Sequence, residues 1–386
     1  MFNLAVAHVG SPFVSVYPFG SGVGKGLKYP NPRPLPNGNG RAVAFDVDGS
    51  VAIGYEGTPG LSWHAWQGGF STRFADSVVE SFSTITGVAF GRYAFPGTVT
   101  IAAGTYPLFM FGNLLAVSYN RSPFLSVYVW TQTQGIKAFY GDGTFTQWIL
   151  FGRRLANPAT LPTGTANGIA LSPATNLSNY VAVAHATTPF FSVYPINTPV
   201  TPLLDPLPIT IGVKIANPAT LPTGTGNGVV FNSSGDSIAV AHDTTPFVSA
   251  YPFTGVIGVK YANPATLPTG NGKAVHFSPS GADLAVAHTT TPFISVYPFA
   301  AGFGTKYTNP ATLPTGNATG VAFSPDGSML AVSHEVTPFF SVYSWSTAGF
   351  GAKLSNPATL PTGTGNAVAW SQINYDIPVA MQTFTL

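Results

Sequence analysis

The sequence contains no cysteine and few charged residues. Among its 386 residues, 15 are Lys or Arg and 13 are Asp or Glu, so charged residues make up 7% and the net charge is +2. The absence of cysteine excludes disulfide bonds, zinc–thiolate sites and cysteine nucleophiles. So small a net charge argues against nucleic acid as a partner, because such proteins carry a basic footprint. With 45% hydrophobic residues, the chain is still too apolar for a disordered protein.

Long apolar runs and catalytic motifs are lacking as well. Pro or Gly interrupts each candidate run, so we expect no transmembrane helix and no membrane insertion. No basic segment precedes the apolar residues of the start, MFNLAVAHVG, which predicts that there is no signal peptide. No Gly-x-Ser-x-Gly elbow, phosphate-binding loop or His-Glu-x-x-His motif occurs. The sequence therefore predicts no catalytic residue, no metal site, no cofactor and no enzyme activity.

Glycine and proline are abundant, and they punctuate an internal repeat. The clearest copies cover residues 228–253, 273–299 and 320–345. Each copy has three short apolar strands, which we name a (Val-Ala-Phe), b (Leu-Ala-Val-Ala-His) and c (Phe-x-Ser-Val-Tyr). A fourth strand, d, is the Gly-x-Lys-Tyr piece that follows. Large and small residues alternate within four to six positions between Pro and Gly, a pattern typical of β-strands.

The repeat predicts an all-β fold, a single seven-bladed β-propeller of four-stranded antiparallel blades that spans residues 1–386. Strands a and c each occur seven times, with a basic unit of about 46 residues, as in propellers. The chain begins with strands b, c and d and supplies an unmatched strand a at Asn366–Trp370. We therefore expect the N-terminal strands b, c and d to share a blade with the C-terminal strand a. Residues 377–386 remain as a tail.

Two stretches of the repeat resemble known proteins. Val-Ala-Phe-Ser-Pro-Asp-Gly followed by Leu-Ala, at 321–332, resembles WD40-type repeats, although the Gly-His and Trp-Asp pairs of that family are missing. The longer consensus, from Asn-Pro-Ala-Thr-Leu-Pro-Thr-Gly to Thr-Pro-Phe-x-Ser-Val-Tyr-Pro-Phe, resembles propeller proteins encoded by tailed bacteriophages. The second resemblance implies a structural or adhesive virion protein, such as a capsid decoration, head fibre or tail component. Its implied partners are other virion proteins or a host surface glycan, and its implied location is the virion, assembled in the host cytoplasm.

Histidine and lysine recur at fixed positions of the repeat. Five histidines end strands b, and we interpret them as structural caps, because neighbouring copies would lie about 10 Å apart or more, too far to share a metal ion. The cations of strand d either protect an exposed strand edge or form a basic rim for an acidic partner. These rim residues are Lys28, Arg154, Lys214, Lys260, Lys306 and Lys353.

Four insertions interrupt the repeat at 91–112, 131–152, 172–180 and 197–211. Since strand direction alternates within a blade, all four should emerge on one face, over the third and fourth blades. They are rich in aromatic residues and arginine, the types that dominate binding hot spots. The predicted partner-binding residues are Arg92, Tyr93, Phe95, Phe109, Phe139, Tyr140, Trp148 and Arg153. Alternatively, the insertions pack on one another as a local cap.

Three functions are compatible with the sequence. The first is the virion protein described above, and the second is a bacterial propeller that binds a glycan or a protein partner. The third is a propeller hydrolase or lactonase with its site at the axial channel. An enzyme of that kind needs ionisable side chains on the innermost strands, but strand a carries only one polar residue within its Val-Ala-Phe core, His276.

Overall fold

The structure, a computed structural model, contains β-strands joined by turns and irregular segments in the residues that it describes. It describes residues 2–20, 23–24, 27–46, 49–66, 68–74, 84–101, 104–130, 153–173, 179–198 and 209–371. Within these ranges there is no α-helix, and hence no helix long and apolar enough to cross a membrane.

The strands form seven antiparallel sheets, which we number along the chain and whose strands we give in the order a, b, c, d. Sheet 1 contains Gly365–Trp370, Phe2–His8, Val14–Gly20 and Val23–Gly24, and sheet 2 contains Gly40–Phe45, Ser50–Tyr55, Leu61–Trp66 and Phe70–Phe74. Sheet 3 contains Ile85–Ile101, Gly104–Tyr119, Leu125–Trp130 and Arg153–Arg154, and sheet 4 contains Ala166–Leu171, Asn179–His185, Phe191–Asn197 and Thr210–Ile211. Sheets 5 to 7 contain Gly226–Phe231, Ser237–His242 and Val248–Pro252; Gly272–Phe277, Asp283–His288 and Ile294–Pro298; and Ala318–Phe323, Met329–His334, Phe340–Ser346 and Gly349–Lys353.

Strands from the two ends of the described chain lie in the same sheet. Strand a of sheet 1 pairs with strand b in the register Leu4–Trp370, Ala5–Ala369 and Val6–Val368. The backbone N–H of Asn3 also donates a hydrogen bond to Ser371 Oγ, at 2.9 Å. Each strand a contacts the strand a of the next sheet, and the series runs from sheet 7 through sheet 1 to sheet 2. The described sheets are thus arranged as in a β-propeller.

Packing between sheets depends on the alternation of large and small residues along strand b. In sheet 6, Leu284 and Val286 pack towards sheet 5, against residues that include Ala239 and Ala241. Ala285 of the same strand packs towards sheet 7. A separate apolar cluster fills each of the seven gaps between consecutive sheets, including the gap between sheets 7 and 1. Strand b is therefore apolar on both faces because both faces are covered.

Strand d departs from the expectation of four strands in every blade, because sheets 5 and 6 have only three. In sheet 5, the N–H of Phe253 donates to strand b, at Asp236 O, so the N–H of the preceding residue would point towards strand d. That residue is Pro252, which has no N–H and can only accept, from Gly258 at 2.9 Å. Sheet 7 has Ser344 at this position and a strand d of five residues. The Tyr-Pro step thus shortens the outer strand.

The turns between strands b and c carry a phenylalanine in the left-handed region of φ. In sheet 4, the N–H of Phe190 closes the turn on Thr187 O at 2.7 Å, and Phe190 has a φ of 73°. Phenylalanine rarely adopts this conformation, which glycine adopts freely. Sheet 2 has Gly60 at the equivalent position, with a φ of 83°. These turns lie on the face opposite the insertions, because strand direction alternates within each sheet.

Candidate functional site

The five repeated histidines are buried in hydrogen bonds that hold strands b and c together. Each histidine Nε2 lies 3.0 or 3.1 Å from the hydroxyl of the serine seven residues later. The pairs are His8–Ser15, His185–Ser192, His242–Ser249, His288–Ser295 and His334–Ser341. The carbonyl oxygen of Thr187 accepts from His185 Nδ1 at 2.8 Å, and that of Val336 accepts from His334 Nδ1 at 2.7 Å. Nδ1 therefore carries the proton in these two rings, and Nε2 accepts from serine.

Burial keeps these histidines neutral. Desolvation lowers the pKa of His185, His242, His288 and His334 to about 4, and it lowers the pKa of His8 in the same direction. The charged form of a buried imidazole loses its hydration, whereas the neutral form keeps its hydrogen bond to serine. Within the ranges that the structure describes, no three His, Asp or Glu residues come together in a way that could hold a metal ion. The arrangement supports the interpretation of these histidines as structural residues.

The strands a, which contact one another around the ring, bring few ionisable groups together. The positions equivalent to His276 are occupied by apolar residues: Ala44, Ala89, Ala170, Val230, Ala322 and Ala369. His276 Nδ1 accepts a hydrogen bond from the backbone N–H of Phe323 at 3.3 Å. Burial lowers the pKa of His276 to about 4. His276 is thus a single neutral imidazole that already accepts a hydrogen bond, and the equivalent positions of the other strands a provide it with no acidic or basic partner.

A polar collar, which the repeat pattern alone did not predict, links the starts of the strands a. The second residue of strand a reaches from one sheet to a backbone carbonyl of the next. These bonds run from Asn167 to Gly226, from Asn227 to Gly272, from Thr319 to Gly365 and from Asn366 to Gly40. The signal was present in the sequence as a polar residue that recurs just before the Val-Ala-Phe step. Its role is evident only when neighbouring sheets are placed side by side.

The predicted basic rim consists of cations that are individually tethered. Each Lys Nζ donates to the side-chain oxygen of an asparagine three residues later; the pairs are Lys28–Asn31, Lys214–Asn217, Lys260–Asn263, Lys306–Asn309 and Lys353–Asn356. Arg154 does the same with Asn157 at 2.7 Å. Partial burial lowers the pKa of these lysines. There is one such cation on each of six sheets, so the structure distributes them and forms no cluster.

The first insertion, predicted only as an interruption of the repeat, is a pair of strands. Strands a and b of sheet 3 continue as a pair from Arg92–Asn113 to Ile101–Gly104. Tyr93, Phe95 and Phe109 belong to this two-stranded ribbon, and Arg92 is exposed at its base. The register thus brings three of the predicted aromatic residues into one element.

The other predicted partner-binding residues are only partly described. Phe139, Tyr140 and Trp148 lie outside the described residues, as do 174–178 and 199–208 of the third and fourth insertions. Arg153 is half-buried, and its Nη2 donates to Ile209 O at 3.4 Å. This hydrogen bond joins sheet 3 to the end of the insertion in sheet 4. Arg153 therefore links two sheets of the same molecule, instead of standing free on the surface.

One uncharged surface pocket lies between sheets 5 and 6. It has a volume of about 360 Å³ and is lined by Tyr261, Ala262, Pro298 and residues 300–304. The lining contains no carboxylate, imidazole or amine, and the Tyr261 phenol is its one ionisable side chain.

Known structures share the fold of this chain at low sequence identity. A protein from Bacteroides fragilis, named as a candidate 6-phosphogluconolactonase, is 12% identical, with a TM-score of 0.62 over 96% of this chain and 97% of its own. A protein from Lactobacillus plantarum is 12% identical, with a TM-score of 0.60 over 96% of this chain and 99% of its own. The β-propeller domain of Cps50 (Swd1) from Myceliophteria thermophila is 13% identical, with a TM-score of 0.50 over 84% of this chain and 90% of its own.

Sequence comparison gives no closer relationship. No protein-family model and no curated protein matches the chain. At identities of 12 to 13%, the structural likeness establishes the architecture alone, because one fold hosts many unrelated functions. The chain has an all-β, WD40-like β-propeller fold.

Proposed function

We propose that this protein is a non-enzymatic interaction platform, a closed seven-bladed propeller in which the strands of the two chain ends complete one blade. The supporting observation is that the repeated polar residues are engaged inside the molecule. The histidines bind serines, the lysines bind asparagines, and the collar residues bind carbonyls of the next sheet. What distinguishes one sector of the ring from the others is the ribbon and the insertions of sheets 3 and 4.

The finer proposal is a structural or adhesive protein of a tailed-phage virion. It rests on the resemblance of the repeat consensus to phage-encoded propellers and on the composition of the chain. A chain with only 7% charged residues suits a protein whose surface is largely covered by neighbouring subunits. The proposed partners are other virion proteins or a host surface glycan.

Replacement of residues 138–149 by a short Gly-Ser turn tests this proposal. Lengthening or shortening a surface loop changes stability little, so the variant should fold with an unchanged melting temperature. If the partner is a virion protein, mass spectrometry should detect the wild type in purified particles but not the variant. If the partner is a host glycan, the wild type should attach to the host surface and the variant should not. A matched control replaces the equivalent turn of sheet 7, residues 346–349, and should be incorporated normally. Incorporation of the 138–149 variant at the wild-type level would refute the proposed surface.

A lactonase is the second candidate, because two structural neighbours are named as candidate 6-phosphogluconolactonases. The lack of acid–base partners for His276 on the inner strands argues against it. The test is the hydrolysis of sugar lactones by the purified protein, with His276→Ala as the matched variant. We expect both proteins to match the uncatalysed rate. If the wild type hydrolysed a lactone and His276→Ala abolished this activity, the proposal of a non-enzymatic interaction platform would be wrong.

A further inference from the structure

The pocket between sheets 5 and 6 places an aromatic ring of one sheet beside a turn of the next. Tyr261 belongs to sheet 5, where its N–H donates to Ala250 O of strand c at 2.9 Å. Pro298 and residues 300–304 belong to sheet 6. The volume of about 360 Å³ lies at the small end of ligand-binding sites, which span roughly 300 to 1,000 Å³. The pocket therefore suits a single small ring.

Aromatic packing holds the two rings that line the pocket. The Tyr261 ring lies edge-to-face against Phe299, with ring centroids 5.7 Å apart. Phe303, from the turn of sheet 6, packs edge-to-face against Phe299 at 5.6 Å and against Tyr297 at 5.5 Å. Phe299 and Tyr297 are themselves buried. Because both rings are already held in place, a ligand does not have to order them, and this ordering would otherwise weaken its affinity.

The pocket differs from the gap between sheets 6 and 7, which has the same kinds of residue. A Cβ atom at Gly302 would lie 3.9 Å from the Tyr261 ring, whereas one at the equivalent Gly349 would lie 3.0 Å from the Tyr307 ring. The turn of sheet 6 therefore stands further from its tyrosine. The Tyr307 hydroxyl donates to Asp283 Oδ1 at 2.9 Å. The Tyr261 hydroxyl has no partner within the described residues, so it can bind a ligand.

The gap between sheets 4 and 5 lacks the two residues that form the pocket. Ile215 occupies the position of Tyr261 there, and Val256 occupies that of Gly302. The aromatic ring and its hydroxyl are therefore missing, and Val256, which is 62% exposed, adds a side chain to the turn. Of the three gaps from sheet 4 to sheet 7, only the middle one combines an open turn with a tyrosine whose hydroxyl is unpaired.

Uncharged hydrogen-bonding groups lie beside the Tyr261 ring. The backbone N–H groups of Ala301 and Gly302, like the Tyr261 hydroxyl, have no partner in the part of the chain that the structure describes. Ala301 has a φ of 51°, in the left-handed region where sheet 5 has Gly255. Backbone held in this region by a residue other than glycine is strained, and such strain is often found where a protein binds a ligand. The pocket thus offers neutral donors and one aromatic face.

We propose that this pocket binds one neutral pyranose ring of a host surface glycan. A pyranose has a face of C–H bonds, which packs on the electron-rich face of an aromatic ring, and its hydroxyls form hydrogen bonds with neutral groups. Since no charged side chain lines the pocket, an acidic or phosphorylated sugar would find no counter-ion. This deepens the proposed interaction function by naming a ligand class and its site, and it rests on the glycan partner of that function.

The experiment titrates the purified full chain with the methyl glycosides of glucose, galactose, mannose and N-acetylglucosamine, followed by NMR. We expect at least one glycoside to bind with a Kd on the order of 1 mM, as for a ligand of so few atoms, and to shift the amide signals of 300–304. Tyr261→Ile, which copies the residue at position 215, should weaken binding about tenfold or more. Tyr261→Phe keeps the ring and should weaken it about fivefold. The matched control, Val256→Ala in the equivalent turn of sheet 5, should bind as the wild type does.

The proposal would be wrong if none of the four glycosides bound, if the shifted amides lay away from 300–304, or if folded Tyr261→Ile bound with wild-type affinity. Binding of a tetraproline peptide instead of the sugars would also overturn it, because aromatic grooves can accept such peptides. The variant that replaces residues 138–149 should bind the glycosides normally, and loss of binding there would place the sugar site in the insertion. Glycoside binding is scored apart from particle incorporation and attachment, so the pocket and the proposed function can fail independently.

Discussion

The buried histidines make the stability of the protein depend on pH. Each of four histidines has a pKa of about 4 in the folded state, against about 6.5 in an unfolded chain. The unfolded state therefore binds more protons between these values. Folding stability is fully present above the unfolded pKa and is lost as the pH falls from about 6.5 to about 4.

We expect the urea midpoint to fall steeply between pH 6.5 and pH 4. Each pKa unit corresponds to about 1.4 kcal/mol, so each of these histidines contributes up to about 3 kcal/mol to this loss. Equilibrium urea unfolding across this pH range is the measurement. In the variant His242→Gln, unfolding should take up one proton fewer, so the free energy of unfolding should depend less steeply on pH. A midpoint that stays constant over this pH range would contradict the prediction.

The tyrosines that recur on strand c belong to the core. Tyr17, Tyr128, Tyr194, Tyr251, Tyr297 and Tyr343 are at most 2% exposed. Tyr297 also donates a hydrogen bond to Thr266 O at 2.8 Å. Tyr297→Ala should lower the free energy of unfolding by about 3 kcal/mol or more, because it leaves a cavity. Tyr297→Phe is the control and should cost about 1 kcal/mol, the value of the hydrogen bond.

At the scale of elements, the length of the outer strand depends on one residue of strand c. Sheet 7, with Ser344 at this position, has a strand d of five residues, whereas sheet 6, with Pro298, has none and sheets 1 and 4, which also have proline there, have strands d of only two residues. Serine supplies an N–H directed towards strand d that proline lacks, so the exchange of Pro298 and Ser344 should exchange the lengths of the two outer strands.

Pro298→Ser should slow hydrogen exchange of the amides at 303–305, and Ser344→Pro should accelerate exchange at 349–353. The expected change is about fivefold in each direction, corresponding to one hydrogen bond of about 1 kcal/mol. Hydrogen exchange read by mass spectrometry or NMR measures both. If exchange in sheet 6 were unchanged while the protein stayed folded, the missing donor would not be the cause of the short strand.

The sequence predicted those elements whose pattern is local. Strands a, b and c could be located because large and small residues alternate between Pro and Gly, as in Leu284–Ala287. The ribbon could not be located in this way, because Pro96 and Gly97 are typical of turns. Only the register shows that both residues lie in a paired strand. The collar could not either, since Asn227 bonds to a carbonyl 45 residues away. Contacts between sheets depend on a geometry that the repeat alone does not specify.

At the scale of the whole molecule, strand b of sheet 1 holds the two ends of the described chain together. Deletion of residues 2–20 removes strands b and c of sheet 1, leaves strand a unpaired and exposes its edge. We expect a broad thermal transition, shifted down by at least about 10 °C, and binding of a hydrophobic dye. Addition of a synthetic peptide of residues 2–20 should restore part of the loss. A sharp, unshifted transition in the truncated protein would contradict this expectation.

The projecting ribbon gives an otherwise repetitive ring a direction. A partner that touches only the turns of the opposite face meets seven similar sectors and can settle in seven rotational positions. The ribbon of sheet 3 distinguishes one sheet from the other six. A partner that also contacts this ribbon can bind in only one of the seven rotational positions. A subunit with internal pseudo-symmetry can therefore occupy an asymmetric site in a single orientation.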